Sequence, residues 1–398
     1  MSCPSRCAIL VRDGCCPELT MRFLVLGRGA QGSACAFDLL RSEGVTQVRL
    51  ADLDVSSLPA FLPTDDPRLV PVSVDVRNRE MMLAEMRQVD AVLSAIPYYF
   101  NGELAALAVQ AGVHFADLGG NTEIVFAQKE LDEAARLKGV TVIPDTGLAP
   151  GMINVLAELG IRAMDSVESV KLFVGGLPQH PEPPLNYQIV YSIEGVLDYY
   201  TTLSWVLRDG KRTQVTALSE LESVQFADPI GTLEAFHTAG GLSTMAWRYE
   251  GKIPLMEYKT LRYPGHAQLM AAMRELGLFD ATPIDVKGVP VVPRDVFIAQ
   301  VGPKLRRPGS RDLVALRVVV TGTRDGAPCT RSYDLLDHYD AEHDITAMMR
   351  VTGYTLSITG QLMASGALPS GVYTPDEVFP GDRYIAELAK RGIDIRMH

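Results

Sequence analysis

The stretch from Met21 to Asp52 constrains the fold of this 398-residue chain more than any other. Its apolar run 23–26 predicts a short buried strand, and apolar residues at helical spacing follow after a turn. That turn carries glycines in the spacing G-x-G-x-x-G, at Gly27, Gly29 and Gly32. In a dinucleotide-binding unit these glycines allow, in order, a tight turn, close approach of the pyrophosphate and close helix–strand contact. The stretch therefore predicts a strand, turn and helix that bind a dinucleotide.

Asp52 predicts which dinucleotide is bound. It ends the second strand, twenty residues after the third glycine, where a carboxylate accepts hydrogen bonds from the ribose hydroxyls and repels a 2′-phosphate. This favours NAD over NADP. Two residues after the third strand are expected beside the adenine, and small residues after the fourth strand beside the nicotinamide. No metal is expected, and the predicted cofactor contacts are Gly27, Gly29, Ala30, Gln31, Gly32, Asp52, Asp75, Val76, Ser94, Ala95 and Pro97.

Strands and helices continue to alternate beyond Asp52. The apolar patterns predict strands at 69–74, 90–94, 114–117 and 140–144, and helices at 79–87, 102–111 and 125–138. Six strands with intervening helices predict a doubly wound parallel-sheet (Rossmann) domain of the α/β class over residues 21–150.

The pattern changes after residue 150. Asp209-Gly210 and Asp325-Gly326 are hairpin turn signals, and residues 187–192 alternate like a strand. These features predict a second, α+β domain over 151–341 with a mixed or antiparallel sheet. Helices in 342–398 are expected to return to the first domain. The antiparallel second domain is the expected interface of a homo-oligomer, with a dimer favoured.

Charge and cysteine usage exclude several classes of protein. A formal net charge of -11 argues against a nucleic-acid partner. No apolar run reaches the ~18 to 20 residues of a membrane helix.

Four of the six cysteines lie in the first sixteen residues, which allows a metal or disulfide cluster. The absence of periodicity in this segment favours a poorly ordered extension over 1–20. Few cysteines elsewhere indicate a cytoplasmic protein.

Polar residues at strand ends are the first candidates for chemistry. Ligands of an open α/β sheet bind beyond the carboxyl ends of its strands. Asp117 with Asn121, and Asp145 with Thr146, follow the fifth and sixth strands. Both carboxylates are therefore candidates for the nicotinamide cleft. The alternative for each is a cap of a turn or of the next helix.

The second domain is expected to bring the substrate-binding groups. Alternation in the strand 258–262 places Arg262 on one face with Tyr258, and His266 opens the following helix. An arginine can bind a carboxylate bidentately, and a histidine can shuttle a proton near neutral pH. The alternatives are a surface arginine and a helix-capping histidine. Lys171 and Glu194 are weaker candidates.

Several motifs together resemble the saccharopine dehydrogenase-like family, and within it the lysine 6-dehydrogenase branch. They span most of the chain from Met21 onward: GRGAQG (27–32), DLGGN (117–121), PDTGLAPGM (144–152), VGGLP (174–178), DPIGTLEAF (228–236) and KTLRYPGH (259–266). The glycine fingerprint is generic, whereas the 147–151 turn, the GGLP loop and LRYPGH are far more specific. Residues 1–20 have no counterpart in the family pattern.

The resemblance implies an NAD-dependent amine or amino-acid dehydrogenase. In the lysine branch, the ε-carbon of L-lysine loses hydride to NAD, and hydrolysis of the imine releases ammonia and allysine, which cyclises to piperideine-6-carboxylate. Asp117 and Asp145 are then the expected base and imine-stabilising carboxylate, and Arg262 the cation for the α-carboxylate. His266 would help to bind the substrate or relay a proton. Substrate contacts are expected from Tyr187, Asn121 and Thr146.

Two other functions remain open from the sequence. Relatives handle saccharopine or carboxynorspermidine, which are longer or carry a further charged arm and need another charged anchor. Asp52 argues against a reductive, NADPH-dependent role. The second alternative is a non-catalytic NAD-binding protein that kept the fold.

Overall fold

The computed structural model describes residues 20–307 and 309–398, and its first part alternates strands and helices. The strands are β1 (Met21–Leu26), β2 (Val45–Asp52), β3 (Leu69–Ser73), β4 (Ala91–Ser94), β5 (His114–Asp117) and β6 (Thr141–Ile143). The helices are α1 (Ala30–Leu40), α2 (Arg79–Met86), α3 (Asn101–Ala111), α4 (Thr122–Lys129) and α5 (Asp132–Lys138). The strands form a parallel sheet in the order β6-β5-β4-β1-β2-β3. This confirms the doubly wound fold and puts the switch in strand order between β1 and β4.

A second sheet holds most of the remaining strands, interrupted by helices. The strands are β7 (Ser166–Pro178), β8 (Ser204–Arg208), β9 (Lys211–Val215), β10 (Glu222–Gln225), β11 (Thr232–His237), β12 (Leu255–Arg262), β13 (Ile284–Val286), β14 (Val289–Val291), β15 (Asp312–Arg324) and β16 (Ala327–His338). The helices are α6 (Met152–Arg162), α7 (Ile193–Thr201), α8 (Met245–Arg248), α9 (His266–Glu275) and α10 (Pro293–Leu305).

This second sheet is mixed, as predicted. Its order is β10-β11-β12-β7-β15-β16, with β8 and β9 attached to β12. Only the β12–β7 pair is parallel, and the hairpins turn at Asp209-Gly210 and Asp325-Gly326. Because β7 and β12 run side by side, their carboxyl ends, at Pro178 and Arg262, reach the same edge of the sheet.

The carboxyl-terminal segment packs on the first sheet, except for its last strand, which pairs with β16 of the second sheet. It consists of α11 (Ala347–Ala364), β17 (Gly371–Val372), α12 (Pro375–Val378), α13 (Gly381–Ala389) and β18 (Arg396–Met397). β17 adds a parallel strand beside β6, and α11 lies so close to α1 that a Cβ on Gly353 would be 2.7 Å from Ala34. A buried ion pair, Arg391 Nε to Asp38 at 2.8 Å, fixes the segment further.

Two predicted elements are wrong. Residues 187–192 form a loop, because the backbone there bonds to helix ends: the amide of Ile189 donates to Leu305 at the end of α10. The single helix expected over 125–138 is two helices, α4 and α5, interrupted at 130–131. Residues 1–19 of the expected extension 1–20, with its four cysteines, lie outside the described part of the chain. None of the described helices combines the length and the apolar character that crossing a membrane requires.

Candidate active site

The glycine turn after β1 has the geometry that its spacing predicts. Gly27 has φ +95°, and a Cβ on it would lie 2.9 Å from the carbonyl oxygen of Ala95 at the end of β4. A Cβ on Gly32 would lie 1.8 Å from the carbonyl oxygen of Gly27, so α1 can approach β1 only with glycine here. Gly29 faces open space. The turn therefore offers exposed backbone at the start of α1, where the helix dipole favours phosphate.

Asp52 is held rigidly beside this turn. Its carboxylate accepts hydrogen bonds from the amides of Arg28 (2.8 Å) and Leu53 (2.7 Å). The guanidinium of Arg28 turns away to Asp54 (3.3 Å) and Ser57. The oxygens of Asp52 keep further lone pairs for ribose hydroxyls.

The other predicted cofactor residues fall into two groups. Ala30, Gln31, Ala95 and Pro97 lie at the exposed or half-buried mouth of the glycine turn, around the switch point, whereas Asp75 and Val76 lie beyond β3. The hydroxyl of Ser94 donates to Asn101 (2.8 Å) inside the protein, so Ser94 can offer the cleft only its backbone and small size. Asp75 forms an exposed ion pair with Arg77 (2.7 Å). Contacts of these residues with a cofactor stay predictions.

Asp117 is buried at the end of β5 and is fully engaged by its own domain. Its Oδ1 accepts a hydrogen bond from the amide of Gly119 (2.7 Å), and its Oδ2 from the side-chain amide of Gln128 in α4 (2.7 Å). Burial raises the pKa of Asp117 to about 6, although both hydrogen bonds oppose the rise. This geometry fits a residue that holds the 117–121 loop in place.

Asp145 is buried in the next loop, with a left-handed backbone at φ +60°. Its Oδ1 accepts from the amide of Gly120 (3.2 Å), and its Oδ2 from the hydroxyl of Ser243 (2.5 Å), which belongs to the second domain. A Cβ on Gly119 would lie 1.6 Å from Oδ1, so the close approach requires glycine. Burial raises the pKa of Asp145 to about 7, and the neighbouring Asp117 adds to the rise. A carboxyl group with this pKa can exchange a proton near neutral pH.

Asn121 and Thr146 make local hydrogen bonds of the capping kind, which is the alternative to a role in the nicotinamide cleft. The side chain of Asn121 caps α4 by accepting from the amides of Glu123 (3.0 Å) and Ile124 (3.1 Å). The buried hydroxyl of Thr146 donates to the carbonyl of Asp117 (2.9 Å). Neither geometry indicates a bound substrate, and contacts of Asn121 and Thr146 with a substrate stay predictions.

The loops that carry Asp117 and Asp145 meet the second domain at tyrosines. A Cβ on Gly120 would lie 3.0 Å from the Tyr199 hydroxyl, and the ring of Tyr258 fills the space beside Gly241. Burial, and then the Tyr258 phenol and the Asp145 carboxylate, raise the pKa of Tyr199. Tyr258 lies on the same face of β12 as Arg262. Tyr199 and Tyr258 thus connect Asp145 to the part of β12 that carries Arg262, along a buried boundary between the domains that we call the cleft.

Sequence reasoning missed Ser243 and Tyr199 as members of this cleft, whereas it placed Tyr258 on the face of β12 that carries Arg262. Tyr199 and Ser243 reach Asp145 only through the tertiary fold, so no spacing links them to it. The signal that was available is local: Gly240-Gly241 before Ser243 marks a tight turn. The structure adds that Ser243 has a left-handed backbone at φ +51°.

Arg262 is buried and has an incomplete set of partners. Its Nη1 donates to the carbonyls of Leu261 (2.9 Å) and Gly176 (3.5 Å), and its guanidinium lies over the ring of Tyr187, 4.7 Å from the centroid. Among the residues that the structure describes, its Nε and the hydroxyl of Tyr187 have no hydrogen-bond partner. Within residues 20–307 and 309–398, no carboxylate forms an ion pair with Arg262. A buried cation without a counter-ion is costly, so the surroundings of Arg262 and Tyr187 are suited to an anionic ligand. We call these surroundings the Arg262 chamber.

His266 does not have the chemistry expected of a proton shuttle near neutral pH. It opens α9 as predicted, but it is buried, with Nε2 at 2.9 Å from the Tyr200 hydroxyl and Nδ1 at 3.1 Å from the Leu185 carbonyl. Burial and the charge of Arg262 lower its pKa to about 3. The imidazole is therefore neutral at physiological pH. In this position the imidazole orients the Tyr200 hydroxyl beside the Arg262 chamber.

The weaker candidates lie in local ion pairs and hydrogen bonds. The ammonium of Lys171 is 3.2 Å from Glu257, and Glu194 accepts from the Ser192 hydroxyl (2.9 Å) in the first turn of α7.

Ligand atoms of Glu257, Glu220 and His237 converge within 4.8 Å, as in a metal site. The guanidinium of Arg208 donates to both glutamates, at 2.8 and 2.7 Å, and so supplies the positive charge already.

A basic cavity of about 860 Å³ lies near the Arg262 chamber. Its lining includes Lys304, Arg306, Arg307 and Arg311, against the single carboxylate of Glu182. The loop that carries Tyr187 separates the two spaces, since the next residue of that loop accepts a hydrogen bond from Ser310 beside the cavity. The cavity therefore adds further positive charge close to the guanidinium of Arg262.

Comparison with known proteins identifies the family. The model of the saccharopine dehydrogenase NADP binding domain matches residues 23–143, and that of the saccharopine dehydrogenase C-terminal domain matches 147–393. Saccharopine dehydrogenase (NADP+, L-glutamate-forming) of Pyricularia oryzae is 27% identical over 227 residues, which cover 52% of this chain and 47% of the relative. The chain thus matches about half the length of that relative.

Two solved structures show the same fold. Apo saccharopine dehydrogenase (L-Glu forming) from Saccharomyces cerevisiae has a TM-score of 0.77 at 20% identity, covering 95% of this chain and 99% of the other. Homospermidine synthase from Legionella pneumophila, in complex with NAD, has a TM-score of 0.63 at 12% identity, covering 95% and 91%. The first domain is a nicotinamide-dinucleotide-binding domain. Because the two family models together span nearly all of the described residues, the chain belongs to the saccharopine dehydrogenase family.

Proposed function

We propose that this chain is an NAD-dependent dehydrogenase that oxidises an amine of an amino-acid substrate. One observation carries the proposal: the buried guanidinium of Arg262 lacks a carboxylate partner among the described residues. Tyr258 and Tyr199 connect its surroundings to Asp145. A substrate carboxylate satisfies the guanidinium bidentately. The amine end then extends toward the carboxyl ends of the parallel strands, where the dinucleotide binds.

Each side chain of the cleft has a distinct role in this proposal. Asp145 removes a proton from the substrate ammonium, because hydride cannot leave a carbon that bears a protonated amine. A nicotinamide dinucleotide held at the glycine turn would supply the hydride acceptor. Once Asp145 has passed its proton to solvent, its ionised carboxylate stabilises the positive charge that develops on the substrate nitrogen. Asp117 holds the neighbouring loop, and His266 keeps Tyr200 in place against the Arg262 chamber.

L-Lysine is the first substrate proposed, with oxidation at the ε-amine and release of ammonia. The basic cavity beside the chamber favours a second candidate, the secondary amine of saccharopine. A substrate with further carboxylates needs cationic groups beyond Arg262, and the four basic side chains around this cavity provide them. Carboxynorspermidine, a secondary amine whose further arm is cationic, is a third candidate, which this basic cavity does not favour.

The deciding experiment compares substrates in one assay. Reduced nicotinamide is measured by absorbance with NAD and L-lysine, L-ornithine, saccharopine or carboxynorspermidine, and ammonia is assayed in parallel. Turnover of lysine with equimolar ammonia supports the lysine reaction. Turnover of saccharopine without ammonia supports the second candidate, and the double variant Arg306→Glu/Arg311→Glu should then raise KM for saccharopine about tenfold or more. NAD binding without turnover of any of the four would leave a non-catalytic NAD-binding protein.

Cofactor choice is tested separately at Asp52. We expect the wild-type protein to bind NAD more tightly than NADP, since the carboxylate accepts ribose hydrogen bonds and repels a 2′-phosphate. Asp52→Ala should weaken NAD binding by roughly 10- to 100-fold, because hydrogen bonds to a charged group are lost, and should improve NADP binding. Fluorescence titration with the two reduced cofactors measures both constants.

Asp54 provides the matched control for this cofactor test. It lies two residues from Asp52, its side chain is 64% exposed and it contacts the same arginine, Arg28. Asp54→Asn removes an equal charge without touching the proposed ribose site, so the ratio of NAD to NADP affinity should stay close to wild type. Equal effects of the two substitutions would contradict the role of Asp52.

A further inference from the structure

Gly176 in β7 leaves a space beside Arg262 that a distant segment fills. The parallel pairing of β12 with β7, continued by two residues, sets Arg262 opposite Gly176 on the same face of the sheet. A Cβ on Gly176 would lie 2.5 Å from the terminal methyl carbon of Met348, so this methyl group occupies the space. The carbonyl oxygen of Gly176 accepts a hydrogen bond from Nη1 of Arg262 (3.5 Å). Met348 is therefore part of the wall of the Arg262 chamber.

Met348 belongs to the first turn of α11, in the segment that packs on the first sheet, and it is buried. Thr352 follows one turn later on the same side of the helix, and its hydroxyl oxygen lies 3.5 Å from the sulfur atom of Met348. A methionine side chain is unbranched and flexible, and it fills irregular gaps between packed elements. The contact with Thr352 helps to hold this one across the gap between α11 and β7.

The next residues of α11 contact the two parts of the first domain that the proposed reaction uses. A Cβ on Gly147, in the loop of Asp145, would lie 3.7 Å from the methyl carbon of Thr352. A Cβ on Gly353 would lie 2.7 Å from the carbonyl oxygen of Gln31, at the start of α1 beside the glycine turn. The first two turns of α11 thus connect the chamber to this loop and to the dinucleotide-binding turn.

The position of Met348 bears on how a substrate is accommodated. In the proposed reaction, the guanidinium of Arg262 binds the substrate carboxylate, while the reacting carbon must reach the dinucleotide held at the glycine turn. A molecule that contacts both ends extends along the first turns of α11, past Met348. The hydrogen bonds of Arg262 within the protein go to backbone carbonyls, so a change at Met348 alters the space and leaves the charge in place.

We propose that Met348 is a specificity-determining residue, which limits the length of the carbon chain between the carboxylate and the amine of the substrate. This inference rests on the proposed function, in which Arg262 binds the carboxylate. The methionine fills the space between the chamber and the loop of Asp145, so only a chain that fits beside it brings its amine to the carboxylate of Asp145. A shorter side chain at position 348 admits longer substrates.

The test measures binding, so it does not require turnover. Calorimetry in the presence of NADH gives the dissociation constants of the unbranched ω-amino acids from 5-aminopentanoate to 8-aminooctanoate. In this series, 6-aminohexanoate has the same spacing between carboxylate and amine as the α-carboxylate and ε-amine of lysine. Met348→Ala should tighten the binding of 8-aminooctanoate relative to 6-aminohexanoate by about tenfold or more, because each newly buried methylene contributes about fourfold.

Two variants separate this effect from a general loss of packing. Met348→Leu keeps most of the volume and should keep the wild-type preference for chain length. Met363→Ala removes the same buried side chain from the far end of α11, roughly 22 Å away, and should lower the melting temperature without changing the preference. Unchanged binding of NADH verifies that each variant is folded.

The outcomes distinguish this inference from the proposed function. A Met348→Ala variant with the chain-length preference of the wild type would overturn the inference alone. A shifted preference in a protein that oxidises none of the four proposed substrates would support the inference and contradict only the proposed oxidation. Wild-type protein that binds NADH but no member of the series would overturn both.

Discussion

Asp145→Asn should lower kcat by about 10²- to 10⁴-fold while KM for NAD changes little, since the variant keeps the shape of the side chain and loses only the proton acceptor. The buried carboxylate is the group whose pKa, about 7, suits a base near neutral pH. Because the base must be ionised, kcat/KM should rise with pH through about 7 and level off above it. Steady-state rates from acid to alkaline pH measure both effects.

Ser243 and Asp117 supply the controls for Asp145. The hydrogen bond from the Ser243 hydroxyl lowers the pKa of Asp145, so Ser243→Ala should move the rise of kcat/KM to higher pH. Asp117→Asn should reduce stability, because Asp117 is bonded to Gly119 and Gln128 within its own domain, and should move the rise of kcat/KM to lower pH, because it removes a charge that raises the pKa of Asp145. An Asp145→Asn variant with wild-type kcat, or a profile unmoved by Ser243→Ala, would exclude Asp145 as the base.

Arg262→Met should raise KM for the amino-acid substrate by about 10- to 100-fold or more, with a much smaller loss of kcat. The reason is the loss of charged hydrogen bonds to a carboxylate that binds equally well in the ground state and the transition state. Arg262→Lys should recover only part of the affinity, since lysine keeps the charge but not the planar fork. Initial rates over a range of substrate concentrations separate the two constants.

Arg317 is the matched control for Arg262. It also stacks on an aromatic ring, with its guanidinium 4.6 Å from the centroid of Phe226, but it has an ion-pair partner, Asp334, at 2.6 Å. Arg317→Met should therefore lower the melting temperature and leave KM near wild type. Arg262→Met should not lower the melting temperature of the ligand-free protein, because it removes a buried charge that has no counter-ion. A drop in stability with KM unchanged would show Arg262 to be structural.

The first domain was predictable because its signals are local. The turn of Gly27, the close contact of Gly32 and the acid that ends β2 all lie within one strand–turn–helix–strand unit, so their spacing carries their geometry. Hairpin turns at Asp209-Gly210 and Asp325-Gly326 are local in the same way. The predicted strand at 187–192 failed because the alternation in sequence does not become alternating burial: Tyr187 and Gln188 are both buried, and the amide of Ile189 bonds to the end of α10.

The sequence by itself determined the parallel sheet, the dinucleotide-binding turn, the mixed second sheet and the family. Only the tertiary structure decided the chemistry of the cleft. Asp145 owes its pKa to burial and to Asp117, residues apart in sequence, and His266 loses its ordinary pKa only because the chamber excludes water. Desolvation and hydrogen bonds between distant residues have no spacing signature, and for that reason they become visible only when the chain is folded.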